Sequence, residues 1–306
     1  MALAGGLGRV NIDMLYAGMD HLPAPGEEVF SRRFGLYLGG GTPATLANLG
    51  RLGARTRLLT FLGDDFFSDF ARRALKALGA EAVNLYRGGG TPVILSSAMV
   101  CAGDRAFMSY MEPVEVTDAM LDEAFNALKD ADVVLMQPGF LPLYRALKRQ
   151  GARLVFDTGW EEDLSLEKYG DYLALADYYL PNRREAMKIT GAATPEQAAA
   201  ALAAILPTPV VKLDREGCLF VEGGEVRAVP PVPGVDAVDT TGAGDAFMAG
   251  FVYGLLRGEP TQRCAQYGNI TGAACVREYG CLTGYVTQAQ LQDTWERVYA
   301  RGAARK

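Results

Sequence analysis

Between Thr117 and Leu213 short apolar runs alternate with longer amphipathic stretches, and that rhythm restricts the fold more than any other property of the chain. The runs Val133 to Met136, Arg153 to Phe156, Tyr178 to Leu180 and Val210 to Leu213 have the length of strands. Between them lie stretches of helical length. One is capped at Thr117 or Asp118, two cover Pro142 to Gln150 and Leu164 to Ala174, and two more open at Asn182 and Pro195. Strands and helices that alternate in this way build a mostly parallel central sheet covered by helices on both faces, an α/β architecture. Ligands in such sheets bind beyond the carboxyl ends of the strands. With 306 residues, 49% hydrophobic and 22% charged, the whole chain, 1–306, reads as one domain of this kind.

The N-terminal part departs from the rhythm. Ala2 to Asp13 reads as a first strand, and Leu15 to Leu38, broken by Pro23, Pro25 and Gly26, as short antiparallel strands. Thr42 is suited to cap a helix from Ala44 to Arg51 with Pro43 in its first turn. A strand over Arg55 to Phe61 and a helix over Ser68 to Leu78 follow. Val93 to Val100 and Ala106 to Met111 then read as a hairpin. The two β-only insertions, about 14–38 and 91–111, are expected to form a small separate sheet. Near the C-terminus a hairpin turns through Glu222-Gly223-Gly224, and a long helix covers Pro260 to Val276.

Several function classes are excluded. The net charge is −6 and Lys and Arg form no long run, which argues against a nucleic-acid or membrane-surface partner. No stretch of about 18 apolar residues suggests a membrane span, and the N-terminus lacks the basic start of a signal peptide. Five scattered cysteines with no Cys-x-x-Cys pair read as core residues of a reducing cytoplasm. One histidine, His21, and no Gly-x-Ser-x-Gly leave no basis for a zinc site or a Ser-His-Asp triad. A P-loop is absent, and Gly6-Leu7-Gly8 lacks the spacing of a dinucleotide fingerprint.

The stretch Asp239-Thr240-Thr241-Gly242-Ala243-Gly244-Asp245-Ala246-Phe247 joins three features that phosphoryl transfer needs. Its two glycines let backbone N–H groups approach an anion. The apolar run Ala246 to Leu256 reads as a buried helix, so the anion would meet a helix N-terminus. Asp245 stands where a carboxylate could take the proton of a hydroxyl beside a bound phosphate. Ordinary turn formation and capping would use the same residues.

This stretch resembles, residue for residue, the C-terminal signature of the ribokinase-like (PfkB) family of carbohydrate kinases. The order of shorter motifs is similar to that family from Asn11 to about Tyr285. The resemblance implies a ribokinase-like fold with a small β-sheet lid, ATP and Mg²⁺, Asp245 as general base, and an anion hole at Gly242, Ala243 and Gly244. Asn11 and Asp13 match positions that bind the acceptor, although a turn cap would use the same acid. Gly40 and Gly41, in the block Gly39 to Gly53, match the family's N-terminal signature, with Thr45 where the family commonly carries Asn. Asn182-x-x-Glu185 matches the motif that organises phosphate and, through water, Mg²⁺; an Asn cap with an acid at its third position is the alternative. Lys212 and Gly217 match the strand and loop under the nucleotide phosphates, with Asp214 where the family usually has Gly. Asn269 matches a position near the adenine, or is a solvated helix residue. Asp239 and Thr241 match residues that hold a monovalent cation, here K⁺, or close a turn. Similar kinases often form homodimers through the lid.

These residues predict a cytoplasmic, ATP-dependent sugar kinase. A nucleoside kinase of the same fold and a non-catalytic sugar- or nucleotide-binding regulator are the alternatives, and the intact Asp245 and Gly242-x-Gly244 argue against the second. Fructose and 2-keto-3-deoxygluconate kinases often carry Asp-x-Asn-x-Arg where this chain has Asp157-Thr158-Gly159-Trp160-Glu161. A neutral sugar is therefore expected, with Trp160 reshaping the pocket.

Overall fold

The computed structural model describes residues 2–101 and 104–300. The chain opens with β1 (Leu3–Leu7) in the main sheet and leaves it at once, because β2 (Asn11–Met19) and β3 (Arg33–Gly39) belong to a second sheet. It returns through α1 (Gly41–Arg51), β4 (Arg55–Thr60), α2 (Phe66–Ala77) and β5 (Glu81–Asn84), before β6 (Ile94–Cys101) and β7 (Asp104–Tyr110) complete the second sheet. The alternating part comprises α3 (Asp118–Leu128), β8 (Val133–Met136), α4 (Leu141–Arg149), β9 (Arg153–Phe156), α5 (Leu166–Leu175), β10 (Tyr178–Tyr179), α6 (Arg183–Thr190), α7 (Pro195–Ala203) and β11 (Thr208–Lys212). The hairpin of β12 (Cys218–Glu222) and β13 (Glu225–Val229) and the helices α8 (Ala243–Leu256), α9 (Thr261–Cys275) and α10 (Gln288–Trp295) follow.

The main sheet runs in the order β13-β12-β11-β10-β9-β8-β1-β4-β5, parallel except at β12 and β13. Its central strands, such as β1 and β8, are apolar on both faces because both are covered. In β8, Val133 and Leu135 join the core beneath α1, α2, α8 and α9, whereas Val134 and Met136 join the core beneath α3 to α7. The helix α8 is buried from Ala246 to Leu255, wedged between α1 and α9, which explains its uninterrupted apolar sequence. Among the described residues no helix is long and apolar enough to cross a membrane.

The second sheet, order β3-β2-β6-β7, is the lid. It is antiparallel except where β2 runs parallel to β6. Strand register puts Asn11, Asp13, Tyr37, Ser96, Phe107 and Ser109 on one face, and Tyr16, Phe34, Met108 and Tyr110 on the other.

Three expectations need correction. The first strand ends at Leu7, and Asn11 already belongs to the lid, because three residues, Gly8 to Val10, suffice to carry the chain between sheets with no turn signal in the sequence. The helix α1 starts at Gly41, with Gly40 as its cap at φ 99°, so Thr42 lies inside the first turn, beside Pro43, rather than capping it. The edge strand β5 was missed, since only Ala82 and Val83 are apolar in Glu81–Asn84. The turn of the hairpin expected over Val93 to Met111, at Ala102-Gly103-Asp104, lies in part outside the described residues.

Candidate active site

Four ionisable side chains from four elements meet at the carboxyl edge of the main sheet. Asp157 follows β9, Lys212 ends β11, Glu185 lies in the first turn of α6 and Asp245 in the first turn of α8. Lys212 Nζ lies 2.7 Å from Asp157 Oδ2 in a largely buried pair. Burial opposes the Lys212 charge, but the carboxylates of Asp157, Glu185 and Asp245 more than offset it and hold the pKa above its ordinary value. The same ammonium lies 3.1 Å from where a Cβ on Gly244 would stand. A fixed positive charge thus backs the N-terminus of α8, which is already suited to anions. Burial, and next the Asp157 carboxylate, raise Asp245 to about 7 against the pull of Lys212. That value suits a general base working near neutrality. Among the described residues the Asp245 carboxylate accepts no protein hydrogen bond. Glu185 is buried, and its Oε2 accepts from the Asn182 N–H at 2.7 Å while Asn182 Oδ1 accepts from the Glu185 N–H at 3.0 Å. Burial and then the Asp157 carboxylate raise Glu185 too.

The acceptor side is built from the lid and α1. A Cβ on Gly41 would stand 3.5 Å from Asp245 Oδ1 and 3.7 Å from Gln137 Nε2, so the missing side chain keeps open a space that both groups face. From the lid, Asp13 Oδ1 accepts from Asn11 Nδ2 at 2.8 Å, and Asn11 Oδ1 accepts from Ser96 Oγ at 3.2 Å. Burial above all, with the Asp239 carboxylate, raises Asp13 to about 6 against the Asn11 hydrogen bond. The buried Cys281 thiol feels the carboxylates of both Asp245 and Asp13, which ties the lid acid and the α8 acid to one locality. Thr45 is not part of this surface. It is fully buried and donates to the Asp245 carbonyl at 3.2 Å, so it fixes α1 to α8.

The loop before α8 is held by Asp239. Its Oδ1 accepts from Thr241 N–H at 2.9 Å and Thr241 Oγ1 at 2.7 Å, and its Oδ2 from Gly280 N–H at 3.0 Å. Gly242 follows at φ 77°, and a Cβ there would lie 2.0 Å from Cys281 Cβ; no other residue fits. The Ala243 N–H closes the turn onto the Thr240 carbonyl at 3.3 Å. Beside this loop a cavity of about 400 Å³ is lined by Val232, Pro233, Ile270, Ala273, Ala274 and Arg277, among others. Asn269, one turn away, is buried rather than solvated, and its amide donates to the Pro230 carbonyl at 3.0 Å. Gly217 packs against the Val229 carbonyl of the same segment. Asp214 takes the left-handed conformation at φ 53° and turns its exposed carboxylate towards Arg183, 3.4 Å away. The backbone there favours glycine, and the extra charge points outward. Trp160 is also turned outward, under the Arg184 guanidinium at 4.4 Å and the Lys188 ammonium at 4.8 Å, on the exposed side of α6.

The family model described as pfkB family carbohydrate kinase matches residues 7–288. The chain belongs to the pfkB family of carbohydrate kinases. It is a carbohydrate kinase of that family with the ribokinase-like fold. It is 26% identical over 300 residues to the ribokinase of Arabidopsis thaliana, a match covering 90% of this chain and 76% of that protein. A stretch of 106 residues is 39% identical to an uncharacterized sugar kinase of Archaeoglobus fulgidus, covering 35% of this chain and 42% of that protein. Among solved structures, Arabidopsis thaliana ribokinase complexed with ribose and ATP superposes with a TM-score of 0.81 at 22% identity, covering 96% of this chain and 99% of that one. Within the kinase, the structure brings Lys212, Glu185 and Asp245 together, with Gly41 against Asp245 and Asp13 near the same Cys281 thiol as Asp245. The sequence motifs mark neither Asp157 nor Gln137 as a site residue. Each is the first residue after a parallel strand, so the rule that ligands bind beyond strand carboxyl ends would have found both.

Proposed function

We propose that the enzyme transfers the γ-phosphoryl group of ATP, as its Mg²⁺ complex, to a hydroxyl of a small neutral sugar, with Asp245 as general base. One observation carries this reading: a carboxyl raised to about 7 opens onto Gly41 beside a fixed ammonium. Asp13 accepts from acceptor hydroxyls, and Asp245 takes the proton of the hydroxyl that attacks. The first turn of α8 and Lys212 take up negative charge on the transferring group. A loose transition state lets that proton transfer come late, so positioning and electrostatics supply most of the rate.

The nucleoside half of ATP fits the cavity beside Ala273 and Ala274. That cavity is lined in part by α9, the helix that packs on the start of α8 through Gly272, where a Cβ would stand 3.4 Å from the Ala243 carbonyl. Among the described residues no three acidic, His or Cys side chains converge to hold a metal ion alone. Three carboxylates against one ammonium still leave an excess of oxygen donors, which fits Mg²⁺, an ion that keeps several waters. Glu185 would hold it through water. Bound there, Mg²⁺ supplies neutralisation of the donor phosphates.

A neutral sugar is favoured because the arginines nearest the acceptor side are engaged: Arg9 donates to the Glu112 carbonyl and Arg51 to the Leu282 carbonyl. The aromatic ring on the Asp13 face nearest the site, Tyr37, is wedged between Gly35 and Gly280 and offers no open platform for a base. We further read Asp239 and Thr241 as the edge of a K⁺ site, and the exposed lid face with Phe34, Met108 and Tyr110 as a homodimer contact. Five free cysteines suit a reducing cytoplasm. The test is ADP release with neutral sugars, sugar acids and nucleosides as acceptors. Preference for a nucleoside or a sugar acid over every neutral sugar would overturn the substrate assignment, and no ADP release with any acceptor would overturn the kinase.

A further inference from the structure

We infer that Gln137 binds the acceptor, hydrogen-bonding an oxygen adjacent to the hydroxyl that Asp245 deprotonates; this rests on the kinase reading above. Gln137 follows β8, a central strand next to β1. Its backbone is anchored, since its N–H donates at 2.8 Å to the hydroxyl of Tyr144, a fully buried residue of α4. The side chain is therefore projected from a fixed point into the cleft. There Nε2 lies 3.7 Å from the point where a Cβ on Gly41 would stand, and Asp245 Oδ1 lies 3.5 Å from the same point.

A carboxamide and a carboxylate thus face one small space, and no protein partner satisfies either among the described residues. A partly buried carboxamide without a partner forgoes hydrogen bonds that water or a ligand must supply. Its chemistry also sets what it can read. A carboxamide both donates and accepts, as a hydroxyl does, so one carboxamide can pair with a hydroxyl, ring oxygen or carbonyl. Asp245 needs the proton of one hydroxyl. Gln137, beside it, would then meet the next oxygen along the acceptor. The acceptor class is a polyol with oxygens on neighbouring atoms, and an isolated alcohol would leave Gln137 unpaired.

Kinetics of Gln137→Leu and Gln137→Glu, with D-ribose, D-fructose and myo-inositol as acceptors, test this. For the acceptor that the wild type uses best, Gln137→Leu should raise the acceptor KM about 3- to 10-fold, the range of a neutral hydrogen bond, and leave the ATP KM and the melting temperature unchanged. Gln137→Glu places a second carboxylate near Asp245 and should move the acidic limb of kcat/KM to higher pH, a shift that a purely structural role would not produce. An active wild type with an unaltered acceptor KM in Gln137→Leu would overturn this inference alone. A wild type that turns over none of the three would overturn the neutral-sugar reading together with it.

Discussion

Replacing Asp245 by Asn should slow the enzyme and stabilise the protein. The shape is retained while the charge is lost. Turnover should drop about 10²- to 10⁴-fold, the range assigned to a general base. The stability effect follows from the pKa of about 7, against an ordinary value of 3.8. The folded value is raised, so the protonated carboxyl favours folding; that contribution is complete below about pH 4 and lost as pH rises through about 7. A shift of this size corresponds to at most about 4 kcal/mol. Because the carboxyl keeps some access to the cleft, about 2 kcal/mol is the better expectation, or roughly 3 °C in Tm for a chain of this length. Asp245→Asn should therefore melt higher than the wild type at pH 8 and about equally at pH 4. Wild-type kcat/KM should climb with pH to a plateau above about 7, and the residual activity of the variant should lack that limb. Unchanged turnover would refute the base, and a Tm difference independent of pH would refute the electrostatic account.

Lys212→Met leaves Asp157, Glu185 and Asp245 without their cation. Loss of one partner of a buried pair should cost about 3–5 kcal/mol in urea unfolding, and the Asp245 limb of the pH profile should move upward, because Lys212 now holds it down. Asp13→Ala should raise the acceptor KM at least tenfold, since hydrogen bonds to a charged group contribute ~1.5–3 kcal/mol; a KM within twofold of the wild type would remove Asp13 from the acceptor site. K⁺ should give higher rates than Na⁺ at constant ionic strength, and equal rates would remove the cation site. Sedimentation should show a dimer at micromolar concentration that Phe34→Glu converts to monomer.

The alternating part of the fold was legible because its strands are buried on both faces and read as continuous apolar runs, as at Val133 to Met136 and Arg153 to Phe156, where the expected and observed bounds coincide. The passage between sheets was not. Gly8, Arg9 and Val10 carry the chain out of β1 in an extended path, so nothing in the local pattern separates one long strand from two. Within the site, residues inside dense motifs were found from sequence. Asp157 and Gln137 lie outside those motifs, and only their place directly after a parallel strand marks them. Thr45 and Asn269 show the opposite limit. Both match informative positions, yet their polar groups are taken by the Asp245 carbonyl and by the Pro230 carbonyl, partners distant in sequence.

Asp13 comes from a lid strand and Asp245 from the first turn of α8, and burial is the first cause of the raised pKa of each. An ionised carboxylate in such a place lacks water and is short of donors. Asp13 has one from Asn11, and Asp245 has none from the protein. On the proposed function, a bound acceptor would bring hydroxyl protons to both and supply the donors that the described residues do not. The same contacts orient the reacting hydroxyl against the base. Charge that costs stability in the empty enzyme thereby favours ligand over water in the closed site, and a lid acid and a catalytic acid held in one locality make that gain depend on the lid lying over the acceptor. On the proposed function, the placing of Asp13 on the lid and Asp245 on α8 is thus what would couple substrate binding to assembly of the complete site.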